Sequence, residues 1–592
     1  MTLSVPRARR PICSDDDTGP VTVPALFCYH RAPWRNRGRP KHTYQHADPQ
    51  PCPGRPFMHK VLTYIRHLFL AAVLAGGTWL LWPPAEEEPE QGDAPGAAHR
   101  SENVDYVIKF SPGFQYMPGN VPYGIGDPLK GLADVIDDFE AFYEKEEGLN
   151  VRIQVVTIPG VREYLVAQLG SGLAPDIINV NVEDVWVDTQ KGWYVPLDAF
   201  LEAPNTWVRR QGNPNQPGYE QWWDMFKYQA ISRGKAAPDN RNYAVSFDMI
   251  ETGIYYNKTI FREVGVEPPE TWEDWMLVMN KLQEAGYIPL LMVLWSFNDW
   301  AVDLFFDQLY YGILPGIDLL QDPVREQYLE GYLDADEITF LNQKGFFTKK
   351  DPRYLEIWRL MREMRQYVNR NLTSQDPVRE FVTQRGAQFW NHSGLVYRFD
   401  ADPELDFEWG VFYLPPFTKQ TTPYASETEM CVIGGSGTQL EVTNSAIRDT
   451  DPALPMEERI EQSRRLRVVI DFFQFIMLPE NYVRIVNEYP GLMPNVCGVD
   501  PLPVLEPFER ILDRRYTTTK WLFTFDLKFS EIQQRMLELY LNNGVELDEF
   551  MDWQTNNIAA AAQNHIRRKG VAMEEMEAAW QRLAPVRTHY EG

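Results

Sequence analysis

Cysteine is scarce. The chain has 5, three of them in its first 57 residues, leaving Cys431 and Cys497 for everything after. Two thiols cannot make a disulfide-stapled scaffold, and whether they pair depends on a Cα separation that sequence does not give. No Cys/His spacing suits a structural zinc site, so no metal is expected. Basic residues are also short, 57 Lys+Arg against 83 Asp+Glu for a net charge of −26. That deficit argues against nucleic acid or anionic lipid as the main partner, because phosphate binding needs basic surface. Long apolar runs are missing except for one, which excludes a protein with many membrane spans. No internal repeat is found.

Hydrophobic residues make up 44% of the 592, enough for an ordinary globular core, so disorder throughout is excluded. Aromatics are abundant at 13%, with 18 Trp and 29 Tyr. Most aromatics fill cores, but such numbers also suit a protein that stacks on ligands.

The single apolar run, Leu68 to Trp82, follows Lys60 and Arg66 and precedes Pro83-Pro84 and the acidic stretch from Glu86 to Glu90. This is the order of a secretory signal, with Met58 as the expected start and residues 1–57 an untranslated or disordered leader. Residues 58–84 are then a signal peptide or an uncleaved anchor. Both remain open, since no Ala-x-Ala site is evident, and no cysteine follows Leu74-Ala75-Gly76-Gly77 to take a lipid. Either way the body lies outside the cytoplasm. Residues 85–103 form an acidic tether rich in Pro, Gly and Ala.

Strand and helix signals then alternate. Tyr106 to Phe110, Val151 to Thr157 and Asp176 to Val180 read as strands, and Leu132 to Tyr143 and Glu163 to Leu169 as helices. That alternation points to α/β layers with a mainly parallel sheet. The last third is mostly helical, over Ile460 to Leu478, Glu531 to Asn542 and Leu547 to Arg568.

Five segments follow one another in an order that resembles a known family. They are Gly170-Ser171-Gly172-Leu173-Ala174-Pro175-Asp176, then Gly192-Trp193-Tyr194-Val195-Pro196-Leu197-Asp198, then Tyr255-Tyr256-Asn257-Lys258 with Pro268-Pro269-Glu270-Thr271-Trp272, then Gly410 to Pro416, and finally Asn543 to Glu549. Together they resemble the family 1 extracellular solute-binding proteins of ABC importers, the group of maltose-binding protein, over roughly residues 105 to 570. Arg385-Gly386-Ala387-Gln388-Phe389 departs from the family's G-x-A-A-M, and Ser246 stands where a proline is usual. The resemblance implies a two-lobed, type II-like periplasmic-binding fold with a hinge and a cleft. It assigns residues 104–247 and 410–485 to lobe 1, and 248–409 and 486–592 to lobe 2. It makes Lys258 part of the scaffold, where Thr271 should cap a helix starting at Trp272. The strand at Gly410 is expected to run back to the first lobe.

Sugar recognition needs flat aromatic faces for the C–H side of a pyranose, and carboxylates or amides for its hydroxyls. Four loops offer both. The first holds Ser111, Phe114, Gln115 and Tyr116. The second, after Val180, holds Glu183, Asp184 and Trp186. The third, Trp295 to Trp300, adds Asn298 and Asp299, and its two Trp beside hydrogen-bonding groups are hard to bury together. The fourth opens at Phe389 and holds Trp390, Asn391 and His392, with Tyr397 soon after. His392 is expected to be packed or hydrogen-bonded.

The expected function is capture of a carbohydrate, an oligosaccharide, by lobe closure and its delivery to ABC permease subunits. The protein is expected to be monomeric and to have no catalytic residue and no cofactor. An anchor would be its only membrane contact. An exported glycoside hydrolase is the main rival, since it also needs aromatics and two carboxylates about 5 to 10 Å apart. A tethered ligand sensor differs only in its partner.

Overall fold

The computed structural model describes residues 104–591 apart from 122–126, 161, 181–184, 186–187, 228–236, 238, 240, 322–332, 334, 374–376, 431–436, 514–526 and 570. The expected leader, signal and tether lie outside the described residues, as does Cys431; Cys497 is buried.

In chain order the elements used below are β1 (Tyr106–Ser111), α1 (Gly131–Phe142), β2 (Val151–Val155), α2 (Arg162–Ser171), β3 (Ile177–Ile178), β4 (Ala244–Ser246), β5 (Asp248–Met249), β6 (Thr252–Asn257) and α3 (Trp272–Glu284). They continue with α4 (Val302–Tyr310), α5 (Pro352–Arg365), β7 (Gln388–His392), β8 (Trp409–Phe412), β9 (Gln439–Val442), α6 (Arg464–Ile476), β10 (Met493–Pro494) and α7 (Leu547–Lys569).

One sheet has the order β2-β1-β3-β9-β4, with β1, β2 and β3 parallel and β9 antiparallel to both its neighbours. Leu132, Val135, Ile136 and Phe139 recur at helical spacing in α1 and are all buried against this sheet. Phe139 packs on Phe472 and Phe475 of α6, at centroid distances of 5.1 and 5.4 Å. A buried ion pair fastens α6 to the sheet. Arg465 Nε and Nη2 reach the two oxygens of Asp176 at 3.0 and 2.6 Å. Asp176 also accepts the Lys109 amide, at 2.7 Å.

The other sheet has the order β7-β6-β8, all antiparallel neighbours. Its larger core joins Trp272 and Trp275 of α3 to α4, α5 and the C-terminal α7. Thr271 caps α3, its hydroxyl accepting the Asp274 amide and donating to the Asp274 carboxylate, as the sequence leads one to expect. The parallel neighbours Leu291 and Phe389 extend this sheet by one edge segment.

Three expectations are corrected. The sheets are not mainly parallel: of the described strand pairs only β1–β2 and β1–β3 are parallel. Gly410 to Phe412 do not run with the first sheet; β8 pairs with β6, Ile254 facing Phe412. The segment following the fourth family-like block therefore stays with the second core as far as Met430. Phe389 to His392 is not a loop but strand β7, with Phe389 and Trp390 filling cores on its two faces.

The chain passes between the sheets where their ends face each other. It leaves β4 through Phe247 and β5 into β6, returns by Gly437-Thr438 into β9, and leaves again beyond Val499. β10 precedes that last passage and pairs with β5, Pro494 opposite Asp248. Among the described residues no helix is long and apolar enough to cross a membrane.

Candidate functional site

The carboxyl ends of β1 and β3, the start of β9 and the end of β4 share one edge of the first sheet, as their pairing registers require. The end of β7, the start of β6 and the segment after Leu291 share one edge of the second. The passages joining these edges bring them together, and ligands of α/β sheets sit at such strand ends.

On the first sheet, Phe114 is 47% exposed, while Tyr116 two residues on is buried. Gly113 takes φ 85°, and a Cβ there would meet the Asn179 amide at 2.4 Å, so glycine lets this loop lie against the end of β3. Gln115 Nε2 donates to Gly437 O and Thr438 Oγ1 at 2.7 and 2.8 Å. Tyr116 OH donates to Asp248 at 2.8 Å. Glu183, Asp184 and Trp186 lie outside the described residues.

On the second sheet, Phe297 to Ala301 form one turn of π-helix between Ser296 and α4. Such turns add a residue to the helical period and recur at functional sites. Here the turn separates the two tryptophans. Trp295 is 38% exposed, whereas Trp300 is 6% exposed and belongs to the second core. Their rings meet edge to face at 4.5 Å. Asn298 is buried, and the Asp299 side chain lies outside the described ones. Trp300 faces the His392 ring at 6.4 Å.

Trp390 is 1% exposed, next to Trp275, and turns no face to solvent. Asn391 is buried and accepts the His392 amide at 2.8 Å. Tyr397 is buried too, stacked on Tyr489 at 6.0 Å with 9° between the planes. Trp295 and Trp300 thus meet beside His392 and Asn391 at the edge of the second sheet, and Tyr116 lies at the edge of the first; Asn298, Trp300, Asn391, Tyr397 and Tyr116 are buried, whereas Trp295 and Phe114 are exposed.

Burial pushes His392 down to about 4, so its ring is neutral near pH 7, and its Nδ1 has no partner among the described residues. Beside it, Ser393 exchanges bonds with Glu251, its amide donating to Glu251 O at 2.7 Å and its hydroxyl accepting the Glu251 amide at 3.2 Å. Ser393 Oγ also donates to Gly491 O, at 2.7 Å. Burial holds the Glu251 carboxyl well above the usual carboxylate range, despite the Thr252 amide that it accepts. Burial likewise lifts Asp248 to about 6. Sequence reasoning missed Asp248, Glu251 and Tyr489. A buried carboxylate has no local signature; near Tyr489 the Pro490-Gly491 dipeptide is a turn signal that could have drawn attention to that stretch.

A separate cavity of about 720 Å³, lined among others by Gln283, Tyr287, Asn369, Arg370 and Arg385, opens at the start of the Ile288 segment, and no expected site residue lines it. No group of His, Cys, Asp and Glu among the described residues could hold a metal ion.

A family model described as bacterial extracellular solute-binding protein matches residues 126–438. The chain is 23% identical over 165 residues to a multiple sugar-binding protein of Streptococcus mutans, covering 27% of this chain and 32% of that one. It is 26% identical over 161 residues to an uncharacterised ABC transporter extracellular-binding protein of Pyrococcus horikoshii, covering 26% and 35%. The chain thus matches about a third of the length of these curated relatives. Among solved structures, the apo form of RafE from Streptococcus pneumoniae superposes with a TM-score of 0.51 at 14% identity, over 78% of this chain and all 100% of that one. A chitin oligosaccharide binding protein gives 0.51 at 16%, over 74% and 95%. These similarities extend to the two-lobed fold.

Proposed function

Because the chain belongs to the bacterial extracellular solute-binding proteins, we propose that it captures a carbohydrate, an oligosaccharide, between its two lobes and hands it to the permease subunits of an ABC-type importer. The lobes are assigned to the two sheets, with the hinge where Phe247-Asp248, Thr438 and the segment after Val499 pass between them. The observation that carries the reading is the pair of facing sheet edges. Each presents one exposed aromatic, Phe114 or Trp295, above buried amides and phenols. A pyranose needs that combination of an apolar face and hydrogen-bonding edges.

The protein acts outside the cytoplasm as a monomer and performs no chemistry on its ligand. Closure follows because a ligand touching both edges binds the closed form better. Names of related proteins support the choice of ligand class: one is a multiple sugar-binding protein and another binds a chitin oligosaccharide.

The test is a thermal-shift screen of the purified protein with raffinose, chito-oligosaccharides and malto-oligosaccharides, followed by titration calorimetry and solution scattering on any hit. A ligand present at about 100 times its Kd should stabilise the protein by roughly 2.7 kcal/mol and reduce the radius of gyration. Hydrolysis of the ligand by the pure protein would replace this reading with that of a glycoside hydrolase.

A further inference from the structure

Asp248 lies on the first passage between the sheets, is bonded to the second and stands beside the strand that leads into the third. It follows β4 by one residue, Phe247. On the second, Thr438 donates its amide to Asp248 Oδ1 at 2.8 Å, and Thr438 O accepts the Phe247 amide at 2.9 Å. Leading into the third, Pro494 lies opposite Asp248 in the β5–β10 pair, and Asn495 Nδ2 donates to Ser246 O at 3.0 Å. The fourth partner is the loop after β1, whose Tyr116 OH donates to Asp248 Oδ2 at 2.8 Å. One fully buried carboxyl is therefore bonded to the first loop and to one passage, while sitting on another and against a third.

We propose that Asp248 is a positioning residue that ties the Phe114–Tyr116 loop to the hinge, and that the water-free arrangement around it is favoured over an opened one when its carboxyl takes up a proton. The loop's contact with ligand rests on the function proposed above; the hinge contacts do not.

The chemistry around the carboxyl makes that balance proton-dependent. The titratable groups facing it are phenols, Tyr116 from the first loop and Tyr482 from the helix after α6, with Tyr489 behind Tyr116. Tyr482 also donates to Phe247 O and accepts the Asn495 amide at 3.0 Å, so it holds the same strands together. Glu251 lies three residues along, and burial keeps it toward its neutral form. Among the described residues no Lys, Arg or His forms an ion pair with Asp248. Hydrogen bonds from Tyr116, from the backbone and side chain of Thr438 and from the Gly437 backbone oppose the loss of water, and burial wins, lifting the carboxyl from 3.8 to about 6. An arrangement that lets water reach the carboxyl would return it toward 3.8. Ionisation therefore favours opening, and protonation favours the buried arrangement, even though each bond to the carboxyl is stronger when it is ionised. With those two values the opening equilibrium rises roughly tenfold between pH 5 and pH 8, most of it below pH 7.

Hydrogen exchange of the Thr438 amide reads this directly in the ligand-free full chain, after correction for the intrinsic pH dependence of exchange. Its protection should fall about tenfold from pH 5 to pH 8 with a midpoint near 6, and the radius of gyration should change over the same range. Asp248→Asn, which keeps the shape and cannot ionise, should flatten both profiles. Tyr116→Phe removes a bond that stabilises the ionised carboxyl, so its midpoint should move up. A wild-type profile retained in Asp248→Asn would overturn the proposal. So would an unmoved midpoint in Tyr116→Phe, which decides the matter if the first variant does not fold. Neither measurement involves a ligand, so failure to find a sugar would leave this result standing.

Discussion

Trp295 and Trp300 meet edge to face at 4.5 Å, with 81° between their planes, and only Trp295 is open to solvent. The π turn, Phe297 to Ala301, begins after Trp295 and carries Trp300, and the two rings take different roles. Trp300 is anchored in the second core, and Trp295 rests its ring on that anchor. A platform supported in this way loses little side-chain freedom when a ligand stacks on it, which favours affinity.

The two tryptophans should therefore respond differently to truncation. Trp295→Ala should weaken carbohydrate binding by about 1 to 3 kcal/mol, roughly 10- to 200-fold, and change ligand-free stability little. Trp300→Ala should lower stability by about 3 to 5 kcal/mol, as for other buried tryptophans, and weaken binding through loss of support. Calorimetric titration and urea unfolding of both variants check this. Equal stability losses would mean that Trp295 is core as well.

The loop from Trp295 to Trp300 also shows what sequence could and could not reveal. Two Trp with Ser, Asn and Asp in six residues were expected to resist burial together, yet Ser296, Phe297, Asn298 and Trp300 are buried and only Trp295 among the described side chains is exposed. Which Trp goes inward depends on a one-residue widening of the helix, which leaves no compositional trace. β1, β2, β3 and α1 were legible from apolar and β-branched runs and a 3.6-residue period, whereas β4 and β9 of the same sheet were not read as strands. Nor was β7. Its Phe-Trp-Asn-His run lacks alternation because both faces are covered, so it reads like an aromatic-polar loop. The hinge contacts of Asp248 join residues up to 246 positions apart, as with Pro494, and no local pattern encodes them.

The Arg465–Asp176 pair should matter to stability out of proportion to its size. Both side chains are buried, and Asp176 also holds the Lys109 amide in β1. Arg465→Met would leave the carboxylate buried without its cation, at a cost of about 3 to 5 kcal/mol. Replacing Asp176 as well, by Asn, should recover part of that loss. Chemical unfolding of the single and double variants gives the coupling. A single variant within about 0.5 kcal/mol of wild type would show the pair to be dispensable.

His392 should make the protein sensitive to acid. Its folded-state value of about 4 lies below the ordinary 6.5, so the unfolded chain takes up a proton first as pH falls. Its contribution is complete above 6.5 and is lost as pH falls through 4, amounting to about 2 kcal/mol between pH 7 and pH 5. Asp248 has the opposite sign, contributing most below 3.8 and losing its contribution as pH rises through about 6. Glu251 shares that sign. His392→Gln removes only the His392 contribution, so relative to wild type the variant should gain about 2 kcal/mol on going from pH 7 to pH 5. Melting curves at the two pH values test it, and an unchanged difference from wild type would refute the assignment.

Gly491 should tolerate no side chain. Its φ of 135° is one that residues with a Cβ rarely adopt, and a Cβ there would stand 2.8 Å from Gly394 Cα. That contact lies where the chain leading to β10 meets the turn after β7, which the Ser393 hydroxyl fastens to Gly491 O. Gly491→Ala would have to push the two backbones apart, and backbone yields less than a side-chain tip, so a loss of about 1 to 3 kcal/mol is expected. Ser393→Ala removes the bond but adds no bulk, and should cost about 1 kcal/mol. If the contact also sets the angle between the lobes, Gly491→Ala should enlarge the ligand-free radius of gyration, whereas Ser393→Ala should not. Solution scattering separates the two effects. A radius unchanged in Gly491→Ala, with stability reduced, would make this a packing contact that does not set the hinge.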